Sequence, residues 1–174
     1  AAVRQQEVHG PVGREKGSVA TIGERDAVAG FRSAEGGARA DRHFVTGMRA
    51  LVVGDPMDNA TQLGPLATSA IRDELHEQVE STVARGARLL IGGTPRPGRG
   101  FFYEATVLSD VPLDTAAARD ELFGPVAPVF VVRDADEALT LANATEFGLG
   151  ASVWTRDAGQ AAYFAEHIDA GLVF

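Results

Sequence analysis

The alternation of apolar runs with amphipathic segments after residue 125 constrains the fold more than any other feature. The apolar run Val126 to Val132 holds a strand over Val129 to Val132. Asp134 with Glu137 resembles a capping box, and a helix follows to about Ala144. Ala151 to Thr155 reads as a second strand. Asp157 with Gln160 repeats the capping pattern before a helix to Asp169, and Leu172-Val173-Phe174 reads as a third strand. Strand, helix, strand, helix, strand at this spacing predicts parallel pairing through right-handed crossovers. The strands are near-continuous apolar runs, as expected when both faces of a sheet are covered. The expected fold class is therefore α/β, with a partial parallel sheet and flanking helices.

Upstream the pattern is helical, then extended. From about Thr68 to Arg85, Ile71, Leu75, Val79 and Val83 recur every four residues and form one apolar stripe. Gly86 stands where a residue in the left-handed conformation closes a helix. Arg88 to Ile91 reads as a short strand, residues 94–100 as a loop, and Phe101 to Leu108 as a second extended stretch. Asp114 is placed to cap a short helix through Arg119. Residues 52–65 form a turn-rich link, and residues 44–51 read as the end of a helix. The first 43 residues match neither the strand nor the helix period, and glycines interrupt them repeatedly. The expected organisation is an irregular segment over 1–43 and one α/β domain over 44–174.

Composition narrows the function. A chain of 174 residues with 45% hydrophobic and 23% charged residues suits one globular domain. Its net charge of −8 disfavours non-specific binding to nucleic acid or anionic membrane. Residues 1–43 hold seven basic and six acidic residues, so the acidic excess lies in the remainder. No apolar run is long enough to cross a bilayer, and a cytoplasmic setting is expected. The chain has no cysteine, which removes disulfides, thiolate metal sites and cysteine nucleophiles together. Gly13 to Gly17 resembles a phosphate loop but lacks its Gly-Lys-Ser/Thr ending. An RNA-binding arm is opposed by the interspersed acids and by Phe31 as the only aromatic of the segment.

The stretch that points to chemistry is Asp120-Glu121-Leu122-Phe123-Gly124-Pro125. A carboxylate accepts hydrogen bonds only, which suits the paired hydroxyls of a ribose. A ring two residues later can pack against a flat heterocycle. The plainer alternative is a helix end, a core phenylalanine and a turn. His76 and Glu80 stand one helical turn apart, a spacing metals use, but Glu74 and Glu77 beside them favour a solvated face. His167 suits a helix C-terminus. Asp120 and Glu121 are neighbours that would not face each other on a helix, which argues against an acid/base pair. No metal site is expected.

Three blocks together resemble the C-terminal half of the catalytic domain of the aldehyde dehydrogenase superfamily. They are Val53 to Asp58 with Gly64-Pro65-Leu66, then Asp120 to Val126, then Ala142 to Leu149 followed by Ala151 to Thr155. Arg72 to His76, Phe102 to Leu108 and Ala127-Pro128 are closest to the succinate-semialdehyde dehydrogenase branch. The resemblance implies oxidation of an aldehyde to a carboxylate with NAD or NADP, through a cysteine thiolate, a hydride transfer and a glutamate that activates water. It implies a homo-oligomeric parent enzyme with a small-molecule aldehyde as substrate. Glu121 resembles the glutamate that bonds the nicotinamide ribose, and Phe123 the aromatic beside the nicotinamide. Asn143, Thr145 and Gly148 match family positions that are expected to be structural.

The departures are equally plain. The nucleophile, the general-base glutamate and the glycine-containing dinucleotide region have no counterpart here, and no catalytic residue is assigned. The expected function is that of a fragment, inactive by itself, with residues 1–43 a candidate for a shifted reading frame. An uncovered apolar face is expected to favour aggregation. A non-catalytic interaction module derived from the same family is the alternative, and an unrelated binding domain with convergent motifs is a third.

Overall fold

A computed structural model describes residues 19–22, 29–33 and 37–174. Its elements in chain order are β1 (Val19–Ile22), β2 (Ala29–Ser33), α1 (Gly37–Arg49), α2 (Ser69–Ala84) and β3 (Arg88–Ile91), then β4 (Thr106–Ser109), α3 (Ala116–Arg119) and β5 (Val126–Val132), and finally α4 (Ala135–Ala142), β6 (Ala151–Trp154) and α5 (Ala158–His167). The six strands form one mixed sheet in the order β3-β4-β5-β2-β1-β6.

The core strand is β5. It runs parallel to β4, with Val126 opposite Thr106, and parallel to β2, with Val129 opposite Gly30. Six of its seven residues are buried, as the continuous apolar run predicts for a strand covered on both faces. Pairing along β3–β4, β1–β2 and β1–β6 is antiparallel. So β5 and β6 are not neighbours: two strands from the first segment lie between them. Those strands are four and five residues long and are held by ladder bonds to β5 and β6, a source of order that local periodicity does not display. The third strand expected at the C-terminal end is a short parallel bridge to β6, where the Ala151 N–H donates to the Leu172 carbonyl at 2.8 Å.

Local chemistry explains most boundaries. The Thr68 hydroxyl caps α2 by accepting from the Ile71 N–H at 3.2 Å. Gly86 closes the helix with a φ of +113°, the left-handed region that favours glycine. Asp134 accepts from the Glu137 N–H at 2.9 Å, and Asp157 from the Gly159 and Gln160 N–H groups. Each cap satisfies donors that have no partner within the helix. One cap differs from expectation. The residue before α3 is Thr115, and Asp114 instead pairs with Arg85 across the surface.

Leu75, Val79, Leu108, Val126, Phe130 and Phe164 belong to one buried cluster between sheet and helices. Thr82 is buried among them and clips two elements together. Its hydroxyl donates to the Gln78 carbonyl at 2.7 Å and accepts from the Ala117 N–H at 3.3 Å, fixing α3 against α2.

Candidate nucleotide-binding cleft

The geometry of the site follows from where α3 stops. Asp120 has extended dihedrals, φ −101° and ψ 158°, so the chain leaves the helix in an extended conformation at this residue. Side chains two apart along an extended segment share a side. Leu122 is only 3% exposed and points into the core. Glu121 and Phe123 flank it: the first is half-buried, the second 53% exposed. A core contact at the middle residue thus turns a carboxylate and a ring toward the same side.

Two tight turns end the segment. The Gly124 N–H donates to the Leu122 carbonyl and the Val126 N–H to the Gly124 carbonyl, both at 2.8 Å. The Pro125 carbonyl then accepts from the Thr106 N–H at 2.8 Å and feeds the chain into β5 beside β4. Gly124 has a second role. A Cβ on it would lie 2.4 Å from Leu75 Cδ2 and 3.4 Å from Leu66 Cδ2. Only a residue without a side chain lets this turn seat against α2.

The other wall is α2. Ile71, Glu74, Leu75 and Gln78 lie on one stripe of it, and with Glu121 and Phe123 they enclose an open cleft of about 220 Å³. The Gln78 side-chain amide approaches the Glu121 carbonyl at 3.5 Å and ties the segment to the helix. Most ligand pockets are larger, about 300–1,000 Å³, so this cleft has room for a small group only. The sequence reading brought Glu121 and Phe123 forward, and the structure places both in this cleft. It missed Glu74 and Gln78. The signal was present as spacing at i, i+3, i+4 and i+7 beside the core stripe, but polar residues at those positions read as solvent-facing.

The remaining polar positions are structural in their contacts. Asn143 closes α4 and clamps the end of α5: its Nδ2 donates to the His167 carbonyl at 2.8 Å and its Oδ1 accepts from the Asp169 N–H at 2.9 Å. The Thr145 hydroxyl accepts from the Phe147 N–H at 3.1 Å. A Cβ on Gly148 would stand 2.9 Å from the Asp169 carbonyl oxygen. The His167 ring contacts the Tyr163 carbonyl, in the last turn of its own helix.

His76 reaches Glu80 at 3.6 Å and the Tyr103 hydroxyl at 3.1 Å, bracing α2 against the segment before β4. Burial, with Glu80 and Glu104 adding to it, pushes the Tyr103 phenol well above its ordinary range. Among the described residues no three histidine or acidic side chains gather as a metal site. No helix among them is long and apolar enough to cross a membrane.

Comparison with known proteins identifies the fold. The sequence profile of the aldehyde dehydrogenase family matches residues 38–174. A succinate-semialdehyde dehydrogenase (NADP+) of Mycobacterium avium strain 104 is 51% identical over 131 residues, covering 75% of this chain and 28% of the relative. A succinate semialdehyde dehydrogenase (NAD(P)+) of Escherichia coli K12 is 49% identical over the same length, again covering 75% of this chain and 28% of the relative. Among solved structures, lactaldehyde dehydrogenase from Escherichia coli superimposes with a TM-score of 0.79 at 28% identity, over 83% of this chain and 30% of that one. The chain therefore spans under a third of the length of these proteins. With a profile match over most of its length and a sheet that superimposes on a solved member, the chain belongs to the aldehyde dehydrogenase family.

Proposed function

We propose that this chain carries the nicotinamide-ribose edge of an NAD(P)-dependent aldehyde dehydrogenase. The parent reaction is oxidation of an aldehyde, here succinate semialdehyde, to a carboxylate. The observation that carries the reading is the pairing of Glu121 and Phe123 on one side of an extended segment, facing α2 across a cleft. A carboxylate that accepts two hydroxyl bonds, a half-exposed ring and aliphatic walls fit the nicotinamide and its ribose. In the complete enzyme NAD or NADP supplies the hydride acceptor. Glu121 orients the ribose and Phe123 limits where the nicotinamide ring can lie. The choice of succinate semialdehyde rests on the names of relatives about 50% identical to the chain.

The chain by itself is catalytically silent on this reading. It contains no cysteine, so it lacks the family's sulfur nucleophile. The catalytic-domain portion is read as residues 44–174, with β1 and β2 of the preceding segment paired into its sheet. The test is direct: the pure chain is mixed with succinate semialdehyde and either NAD or NADP. No reduced nucleotide should form, while NAD binding should be measurable and lost when Glu121 and Phe123 are both changed to Ala. Turnover, or unchanged binding by that variant, would overturn the reading.

A second reading has its own observation. Phe147, Leu149, Trp154, Leu172 and Phe174 are all exposed, Trp154 at 69%, and they belong to β6 and the segments joined to it. A non-catalytic module that docks through these residues is consistent with that pattern. Concentration-independent monomer behaviour in sedimentation would argue against it.

A further inference from the structure

A buried hydroxyl before β4 faces an imidazole on α2. Tyr103 is 2% exposed, and its hydroxyl lies 3.1 Å from His76 Nδ1, with the two rings edge to face at 5.9 Å. Among the described residues no other group pairs with that hydroxyl. Burial, with Glu80 and Glu104 adding to it, keeps the phenol protonated. A buried O–H needs an acceptor, and Nδ1 is the one available. The neutral imidazole therefore carries its hydrogen on Nε2, the nitrogen that faces Glu80 Oε1 at 3.6 Å.

The imidazolium does not suit the same geometry. Both ring nitrogens then bear hydrogen, and Nδ1–H meets a hydroxyl that is itself a donor. The hydroxyl can turn to accept, but its own hydrogen then points into the core without an acceptor, which is costly. The ion pair gained with Glu80 is long, and that carboxylate is largely exposed, so it recovers little. The other charges around the pair are engaged. Arg72, one turn earlier on α2, pairs with Asp73 at 2.7 Å, and Glu104 accepts from the Thr94 hydroxyl at 2.9 Å. The His76 side chain is 28% exposed, so a proton reaches it without unfolding the chain.

We propose that His76 is a proton-controlled latch between α2 and the hairpin before β4, closed while the ring is neutral and released when it is protonated. Tyr103 anchors that hairpin. It bridges to Pro95, and beside it the Arg96 N–H donates to the Phe102 carbonyl and the Glu104 N–H to the Thr94 carbonyl. Those two amides report the state of the latch.

Histidine is the side chain whose charge ordinarily changes between pH 5 and 8, so the experiment compares those two conditions. Amide exchange of the full chain is read as protection factors, which remove the intrinsic effect of pH. Arg96 and Glu104 should be roughly ten-fold less protected at pH 5 than at pH 8, the worth of one buried unsatisfied donor. His76→Asn keeps an acceptor near the Nδ1 position and takes up no proton in this range, so its protection should be the same at both pH values. Tyr103→Phe, which has no hydroxyl to satisfy, should be equally insensitive. Nitrogen NMR of the imidazole at pH 8 should show the hydrogen on Nε2. Equal protection at both pH values in the unaltered chain, a loss of the same size in either variant, or a hydrogen on Nδ1 at pH 8 overturns the proposal.

Discussion

Replacing Gly124 by Ala is the sharpest test of how the cleft is assembled. The added Cβ would sit 2.4 Å from Leu75 Cδ2. The backbone at Gly124 is not left-handed, so the cost is steric and not conformational. A flexible methyl at the surface could swing aside. Leu75 is 1% exposed and packed within the main core cluster, so its methyl is confined on that side and yields only by disturbing its neighbours. Overpacking of this kind costs about 1–3 kcal/mol. For a domain of this size a loss of about 2 kcal/mol lowers the melting temperature by roughly 4–8 °C.

A double-mutant cycle isolates the contact. Leu75→Ala alone should cost about 2–5 kcal/mol through the cavity it leaves. On that background Gly124→Ala should cost less than about 0.5 kcal/mol, because the obstructing methyl is gone and Leu66 at 3.4 Å needs only a small shift. Urea denaturation of the four chains at low micromolar concentration gives the coupling. Additive losses, or a neutral Gly124→Ala, would refute the claim that this turn seats on α2 through a missing side chain.

The other expectations concern stability and association. Thr82→Val should lose about 1–3 kcal/mol in the same denaturation assay, because the Ala117 N–H loses its partner in a buried site. Asn143→Ala removes two bonds that join α4 to the end of α5, and should lower stability by about 1–2 kcal/mol, with faster amide exchange near residue 169. Burial raises the Tyr103 pKa, so the neutral phenol is favoured in the folded chain. That stabilisation is complete below the unfolded value of about 10 and is lost as pH rises through the folded value. Tyr103→Phe should flatten the alkaline limb of a stability–pH profile, and an unchanged limb would refute the assignment. Trp154→Arg with Phe174→Arg should reduce light scattering at high concentration if the apolar surface beside β6 drives association.

Much of the fold could be read from residues with strong local signals. The stripe Ile71, Leu75, Val79 and Val83 announces α2, and the structure buries Leu75 and Val79 as the stripe requires. The run into Val132 announces β5. Asp134 and Asp157 mark their helices because an N-cap carboxylate has an immediate local partner. What stayed hidden depends on distant partners. The insertion of β1 and β2 between β5 and β6 is a matter of non-local pairing, which four- and five-residue strands cannot signal. Asp114 reads as a cap until Arg85 is seen beside it. Glu121 and Phe123 could be singled out because a carboxylate and a ring stand two residues apart before a Gly-Pro turn, in a block that resembles the family. Their opposing wall could not, since Glu74 on an exposed helical face looks like any solvated acid. The tolerance of Gly124 for Leu75 is a fact of tertiary contact alone.

The central claim is that the segment from Arg119 to Pro125 and the facing stripe of α2 receive the nicotinamide end of the cofactor. The most direct measurement is amide hydrogen exchange across the full chain, with and without saturating oxidised nicotinamide riboside. The account predicts slowed exchange confined to residues 119–125 and 69–78, abolished by Glu121→Ala with Phe123→Ala. Protection elsewhere, or none in these two segments while binding is seen calorimetrically, would contradict it.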